Sequence, residues 1–217
     1  MQTTLTLGGK SVRLDQYEPK STAPRPAILL LHGAGGNVDF WLERLAPMLA
    51  QAGIAAFAVH YFDRTGTIRA DHQTLSDGVH IPLWLSTIRE ALGHLTQLPE
   101  IDPYRIGLVG ISLGAFLALA TASDPAVPHL RAVAEVSGGL VQPYADAATS
   151  AFPPTLILHG DADTVVSVHH AHDLEHRLDE LKVPHEMRIF RNENHFFSEL
   201  AQARILARIV DFLIRRL

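Results

Sequence analysis

RIGLVGISLGAFLALATA, residues Arg105 to Ala122, is the stretch whose reading decides the fold. Ile106 to Val109 is a short apolar run of the kind that forms a buried strand, and Leu113 to Ala122 is small, apolar and rich in helix formers. Between them lies Gly110-Ile111-Ser112-Leu113-Gly114, a G-x-S-x-G element. A strand that turns abruptly into a helix throws the middle residue onto the tip of the turn. The two glycines leave room for neighbouring elements to approach. Ser112 Oγ is then expected at a helix N-terminus, beside free backbone N–H groups and the positive end of the helix dipole. The competing reading is that Ser112 only caps the helix.

Composition bounds the rest. A chain of 217 residues, 47% hydrophobic and 19% charged, is expected to form one α/β domain over 1–217 with a sizeable core. A net charge of −5 without a charge run points away from nucleic acid. With no cysteine, disulfides, thiolate metal sites and a Cys nucleophile are excluded. The N-terminus lacks the basic start and apolar stretch of a signal peptide, and no apolar run is long enough to span a bilayer. The expectation is a soluble cytoplasmic protein with no membrane partner and no cofactor.

Outward from the elbow, strands and helices alternate. Residues 3–7 and 12–17 around Gly8-Gly9 read as an edge hairpin, and 19–26 as a Pro-rich connector. Residues 27–32 form a continuous apolar strand ending in His32-Gly33-Ala34-Gly35-Gly36. A helix over 40–52, with Asp39 as N-cap, leads to a strand at 54–60. Residues 61–77 read as an irregular connection and 79–98 as a long helix. After the elbow come strands at 131–136, 155–159 and 186–190, with helices at 168–181 and 198–217. The alternation predicts one mostly parallel sheet with helices on both faces and an antiparallel edge hairpin. Only residues 137–154 separate two of the strands, too few for a helical lid.

These residues resemble the α/β-hydrolase fold, and most of all its dienelactone hydrolase-like branch of small esterases. The resemblance runs from residue 11 onward and rests on four places in order: His32-Gly33-x-Gly35-Gly36, Gly110-x-Ser112-x-Gly114, His159-Gly160-x-x-Asp163 and His195-Phe196. It implies Ser112 as nucleophile, Asp163 as acid and His195 as base, in the chain order of that fold. It also implies an oxyanion hole from the N–H groups of Ala34 and Leu113. The chain departs from the family in three places. The dienelactone hydrolases proper use a Cys nucleophile, Val165-Val166-Ser167 stands where Val-Pro is frequent, and Asn192-Glu193-Asn194 precedes the His where Gly is frequent.

The site residues have rivals. Asp161 competes with Asp163 and otherwise reads as a turn carboxylate bonded to backbone N–H groups. His32 and His159 read as structural groups at strand ends. His185 lies at the wrong end of its strand. His169, His170 and His172 lack a matching carboxylate cluster, so no metal is expected. Pocket walls are expected from Phe62, Leu140 and Phe196 together with Ala34 and Leu113, and less directly from Trp41. Arg64 and Arg69 are candidates to bind a substrate carboxylate, with solvation or pairing with Asp63 or Asp71 the favoured alternative.

The function expected is hydrolysis of small soluble carboxylic esters through an acyl-enzyme, by a monomer or homodimer. A thioesterase, a small-peptide hydrolase or a perhydrolase would use the same triad, and a non-catalytic binding protein would keep the pocket without needing all three residues.

Overall fold

The computed structural model describes residues 1–19, 24–127 and 130–217. Eight strands form one sheet: β1 (Gln2–Leu7), β2 (Lys10–Tyr17), β3 (Arg25–Leu31), β4 (Ala55–Val59), β5 (Ile101–Ile111), β6 (Ala132–Val136), β7 (Thr155–Gly160) and β8 (His185–Phe190). Their order is β1-β2-β4-β3-β5-β6-β7-β8. The β1–β2 and β2–β4 pairs are antiparallel and every other pair is parallel. The chain therefore leaves β3 in one direction and returns to β5 on its other side. Parallel sheets bind ligands in the crevice that such a reversal opens at the carboxyl ends of the strands.

Strand alternation sorts the core into two layers. Ala27, Leu29 and Leu31 of β3 point to one face, and Ile28 and Leu30 to the other. The first face is covered by α3 (His80–Leu95), α4 (Leu113–Ala122) and α6 (His169–Glu180), the second by α1 (Asp39–Gln51) and α7 (Glu199–Arg216). The helix α4 is apolar nearly all round, because it lies between the sheet and α3 and carries no solvent face. By contrast, α7 is amphipathic and buries Ile205, Leu206, Ile209, Phe212 and Leu213 against its own sheet. Its N-cap Ser198 accepts the Ala201 N–H at 3.3 Å.

Four expectations are corrected. Residues 61–77 are not wholly irregular: they hold a 3-10 turn (Tyr61–Arg64) and α2 (His72–Ser76), capped where Asp71 accepts the Thr74 N–H at 2.9 Å. That helix has no buried residue, so no apolar period announces it. Asn37, not Asp39, supplies the side-chain acceptor at the start of α1, taking the Asp39 N–H at 2.7 Å. Strand β5 begins at Ile101, five residues early, because Arg25 pairs with Ile101 before the register shifts. Of the 19–26 connector, residues 20–23 lie outside the described residues, and β3 already begins at Arg25. Between β6 and β7 stands only the single turn α5 (Tyr144–Ala147). Among the described residues, no helix is long and apolar enough to cross a membrane.

Candidate active site

Ser112 is the sharp point of the β5–α4 connection, with φ +54° and ψ −120°. An L-residue adopts that backbone only where its surroundings impose it. They do so here. The Ser112 N–H donates to the Val136 carbonyl at 2.8 Å, and its own carbonyl accepts from Ala115 N–H at 2.8 Å. The side chain makes no capping hydrogen bond, which removes the reading of Ser112 as a helix cap.

The flanking glycines are required by contact. A Cβ on Gly114 would lie 2.1 Å from the Leu31 carbonyl oxygen, and one on Gly110 would lie 2.3 Å from the Gly114 carbonyl oxygen. Both neighbours are backbone and cannot swing aside. Gly114→Ala is expected to destabilise the fold by about 3 kcal/mol, the upper part of the range for overpacking. Urea unfolding checks this, and an unchanged midpoint would contradict the close approach of β3 and α4.

The structure brings Ser112, His195 and Asp163 together. His195 Nε2 lies 3.0 Å from Ser112 Oγ, and His195 Nδ1 lies 2.7 Å from Asp163 Oδ2. The carboxylate can only accept, so Nδ1 carries the proton and Nε2 is free to accept from the serine hydroxyl. Asp163 is held by its other oxygen, which accepts the N–H groups of Val165 and Val166, each at 2.8 Å. Burial would raise its pKa, but the Val166 amide, His195 and the Val165 amide outweigh burial and hold the carboxyl below its usual value.

Asp161 is placed differently. It accepts the Asn192 N–H at 2.6 Å and so ties the loop after β7 to the loop that carries His195. The same two loops touch at Gly160, where a Cβ would lie 2.3 Å from the Glu193 carbonyl oxygen. His159 is buried, and its Nε2–H donates to the Val166 carbonyl at 2.9 Å. Burial lowers its pKa, and it supports the Asp163 turn from beneath. His185 sits at the first residue of β8, paired with Thr155 at the opposite edge of the sheet. Among the described residues, no three His, Asp or Glu side chains gather in a metal-ligand cluster.

The glycine-rich turn after β3 lies against the elbow. A Cβ on Gly33 would stand 3.9 Å from Ser112 Oγ. Gly36 N–H closes the turn onto the Gly33 carbonyl at 3.0 Å, and the Ala34 carbonyl accepts Ala70 N–H at 2.9 Å. The N–H groups of Ala34 and Leu113 donate in none of the turn and loop hydrogen bonds of the described residues. His32 anchors the turn from below. Its ring stacks on Tyr61 at 4.0 Å, its Nδ1–H donates to the Gly33 carbonyl at 2.8 Å, and its own carbonyl accepts the Tyr61 hydroxyl at 2.6 Å.

Burial pushes the His32 pKa down to about 4. The folded chain thus refuses a proton that the unfolded chain accepts below its ordinary value near 6.5. Stability is full above that value and is lost as pH falls toward 4. From pH 7 to pH 5 the wild type is expected to lose about 2 kcal/mol more than His32→Asn. Parallel unfolding midpoints for the two proteins would refute this.

The proposed pocket residues are scattered in exposure. Phe62 is buried among His32, Tyr61 and Trp84, and Leu140 is buried behind β6. Trp41 is half-buried against the α1–α7 layer. Phe196 is 83% exposed, its ring perpendicular to that of His195 at 5.4 Å. Arg64 is half-buried and on no acid: it donates to the carbonyls of Leu7, at 2.7 Å, and Gly8. Gly8 and Gly9 make the β1–β2 turn with positive φ, and the guanidinium satisfies carbonyls there, so Arg64 is engaged at the hairpin. Asp63 pairs with Arg13 instead. Arg69 is exposed on the loop that Ala70 fastens to the glycine-rich turn.

An open groove of about 850 Å³ reaches the turn at Gly35 and Gly36 and runs between α1 and β2. Ser112 is not among its lining residues. Of its polar walls, Arg13 pairs with Asp63 at 2.8 Å and His60 lies 2.7 Å from Asp15.

Over 112 residues the chain is 35% identical to acyl-coenzyme A thioesterase 5 of Mus musculus, a match covering 52% of this chain and 24% of that protein. The chain thus spans about a quarter of that relative's length. Among solved structures, the dienelactone hydrolase-like promiscuous phosphotriesterase P91 from metagenomic libraries superposes with a TM-score of 0.79 at 22% identity, covering 99% of this chain and 98% of that one. The esterase Est2 of Thermogutta terrifontis gives 0.76 at 17% identity, covering 99% and 91%. At those identities the likeness is one of fold. The profile of the dienelactone hydrolase family matches residues 14–208. Strands β3 to β8, half of β2 and all three residues that meet at the elbow fall inside that match, and the chain belongs to the dienelactone hydrolase family, within the α/β-hydrolase superfamily.

Proposed function

We propose that this protein is a serine hydrolase of small carboxylic esters. The observation that carries the reading is the hydrogen-bonded run from Ser112 Oγ through His195 to Asp163, with its strained serine at the mouth of the sheet. Ser112 Oγ attacks the acyl carbon while His195 Nε2 takes its proton, and Asp163 steadies the imidazolium. The N–H groups of Ala34 and Leu113 hold the oxyanion. Collapse of the tetrahedral intermediate breaks the bond to the alcohol, which leaves with the proton from His195. Water, deprotonated by the same imidazole, then attacks the acyl-serine, releasing the acid and restoring Ser112. Because residues 137–154 between β6 and β7 hold no helix longer than the single turn α5, small acyl groups suit the site better than long chains.

The test is covalent labelling by a fluorophosphonate, read by peptide mass, together with turnover of p-nitrophenyl acetate and butyrate. Labelling confined to Ser112 with turnover of the short esters supports the reading; no label and no turnover would sink it. A thioesterase reading has its own support in the similarity to the mouse thioesterase. The same machinery would act on a thioester, and a higher kcat/KM for acetyl-coenzyme A than for p-nitrophenyl acetate would favour it.

A further inference from the structure

Many arginines of this protein sit on a carboxylate. Arg13, Arg25, Arg89, Arg105, Arg177 and Arg215 each lie within ion-pair distance of a carboxylate. With 23 acidic residues against 18 Lys and Arg, carboxylates are not scarce. Yet one groove, between the edge strand β8 and helix α7, gathers Arg188, Arg204 and Arg208, none with an ion pair or side-chain hydrogen bond among the described residues. The groove encloses about 570 Å³, and Phe190, Ala207 and Asp211 line it beside the arginines.

The nearby carboxylates are committed elsewhere. Glu186 takes both guanidinium nitrogens of Arg215 at 2.7 and 3.0 Å, and Asp211 takes the same guanidinium at 3.1 Å. Glu193, which feels the field of Arg204, accepts the hydroxyl and the N–H of Ser198 at 2.5 and 2.8 Å. Arg204 and Arg208 are four apart on one helix, a spacing at which like charges repel. Arg188 shares the face of β8 with Phe190, toward α7. A charged edge strand can serve only to block pairing with another sheet. That explains Arg188, but not two more arginines placed on the helix opposite.

We propose that this groove binds the phosphoryl group of a small molecule. Guanidinium forks match phosphate oxygens in pairs, and three of them facing one cleft supply the charge that a dianion needs. The one carboxylate in the lining, Asp211, is held by Arg215 and leaves the three arginines as the open charge of the groove. The two elements that form the groove are those on either side of the His195 loop. Under the hydrolase reading, His195 hands its proton to the leaving group. A phosphoryl group carried by substrate therefore belongs to the alcohol or thiol that departs. The groove itself does not depend on that reading; only the assignment to the leaving group does.

The probe is inorganic pyrophosphate, titrated calorimetrically into the full chain at low and high salt. Wild type is expected to bind it, more weakly as salt rises. Arg204→Glu/Arg208→Glu is expected to bind at least tenfold more weakly, with p-nitrophenyl acetate turnover unchanged. Arg204→Gln/Arg208→Gln serves if charge reversal upsets folding. No binding by wild type, or equal binding by the variants, would overturn the proposal. A raised KM for acetyl-coenzyme A but not for p-nitrophenyl acetate in the double variant assigns the phosphoryl group to substrate. Weakened pyrophosphate binding with both KM values unchanged assigns it to a separate phosphate ligand. A protein that binds pyrophosphate but hydrolyses nothing keeps this inference and loses the hydrolase one.

Discussion

Asp163→Asn is expected to lower kcat on p-nitrophenyl acetate by on the order of 10⁴-fold, with KM little changed. The carboxylate of Asp163 has two jobs at once. Oδ1 accepts two backbone N–H groups at 2.8 Å, and Oδ2 accepts the His195 Nδ1–H at 2.7 Å. An asparagine has one acceptor oxygen. If that oxygen stays with Val165 and Val166, its NH2 faces Nδ1 and forces the imidazole proton onto Nε2, where it can no longer accept from Ser112. If the amide flips, two backbone donors lose their partner and the turn loosens. Asp161→Asn is the control. Its one bond goes to the Asn192 N–H, which an amide oxygen also accepts, so turnover is expected to fall less than tenfold. Steady-state kinetics of the two variants side by side decides between the two acids, and equal losses would refute the assignment of Asp163.

That choice shows what the sequence could and could not reveal. The strand–turn–helix pattern around Ser112, the mostly parallel sheet and its antiparallel edge hairpin are legible, because a buried parallel strand and an apolar helix leave unmistakable runs. The spacing of Asp161 and Asp163 was legible as a rivalry. What separates them is which carboxylate the His195 loop meets, and that depends on the backbone contact between Gly160 and Glu193, a relation between distant residues. The partners of Arg64 are backbone carbonyls, which leave no mark in the sequence. The helix α2 has no buried side chain and thus no period to detect. Arg188 lies on a different element from Arg204 and Arg208, and the three share one groove only where β8 and α7 come together. Glu135, by contrast, left a visible signal that the reading of the elbow passed over: an acid in the middle of the apolar run Ala132-Val-Ala-Glu-Val136.

Glu135 has no exposed surface, and its Oε2 accepts the Gly138 N–H at 2.8 Å while Oε1 has no hydrogen-bond partner. It faces the layer of α4, and the turn it fastens is so close to that helix that a Cβ on Gly138 would lie 2.3 Å from Ala115 Cβ. Burial pushes its pKa up to about 8, against the pull of the Gly138 and Leu158 amides. The folded chain therefore keeps a proton that the unfolded chain gives up near pH 4.5, the ordinary value for the group. Stability from this group is full below 4.5 and is lost as pH rises toward 8. Over the lower part of that window His32 works in the opposite sense, gaining stability as pH rises to 6.5, so the two largely offset one another. Above 6.5 the loss from Glu135 stands alone between these two groups. Glu135→Gln keeps a neutral acceptor for Gly138 and has no proton to lose. Relative to wild type, it is expected to gain about 4 kcal/mol between pH 5 and pH 8, in proportion to the three or so pH units over which the carboxyl resists ionising. Urea unfolding of both proteins at the two pH values measures the difference. Parallel stability profiles would mean that Glu135 ionises freely in place, and a variant less stable at both values would mean that the lost acid hydroxyl had a partner.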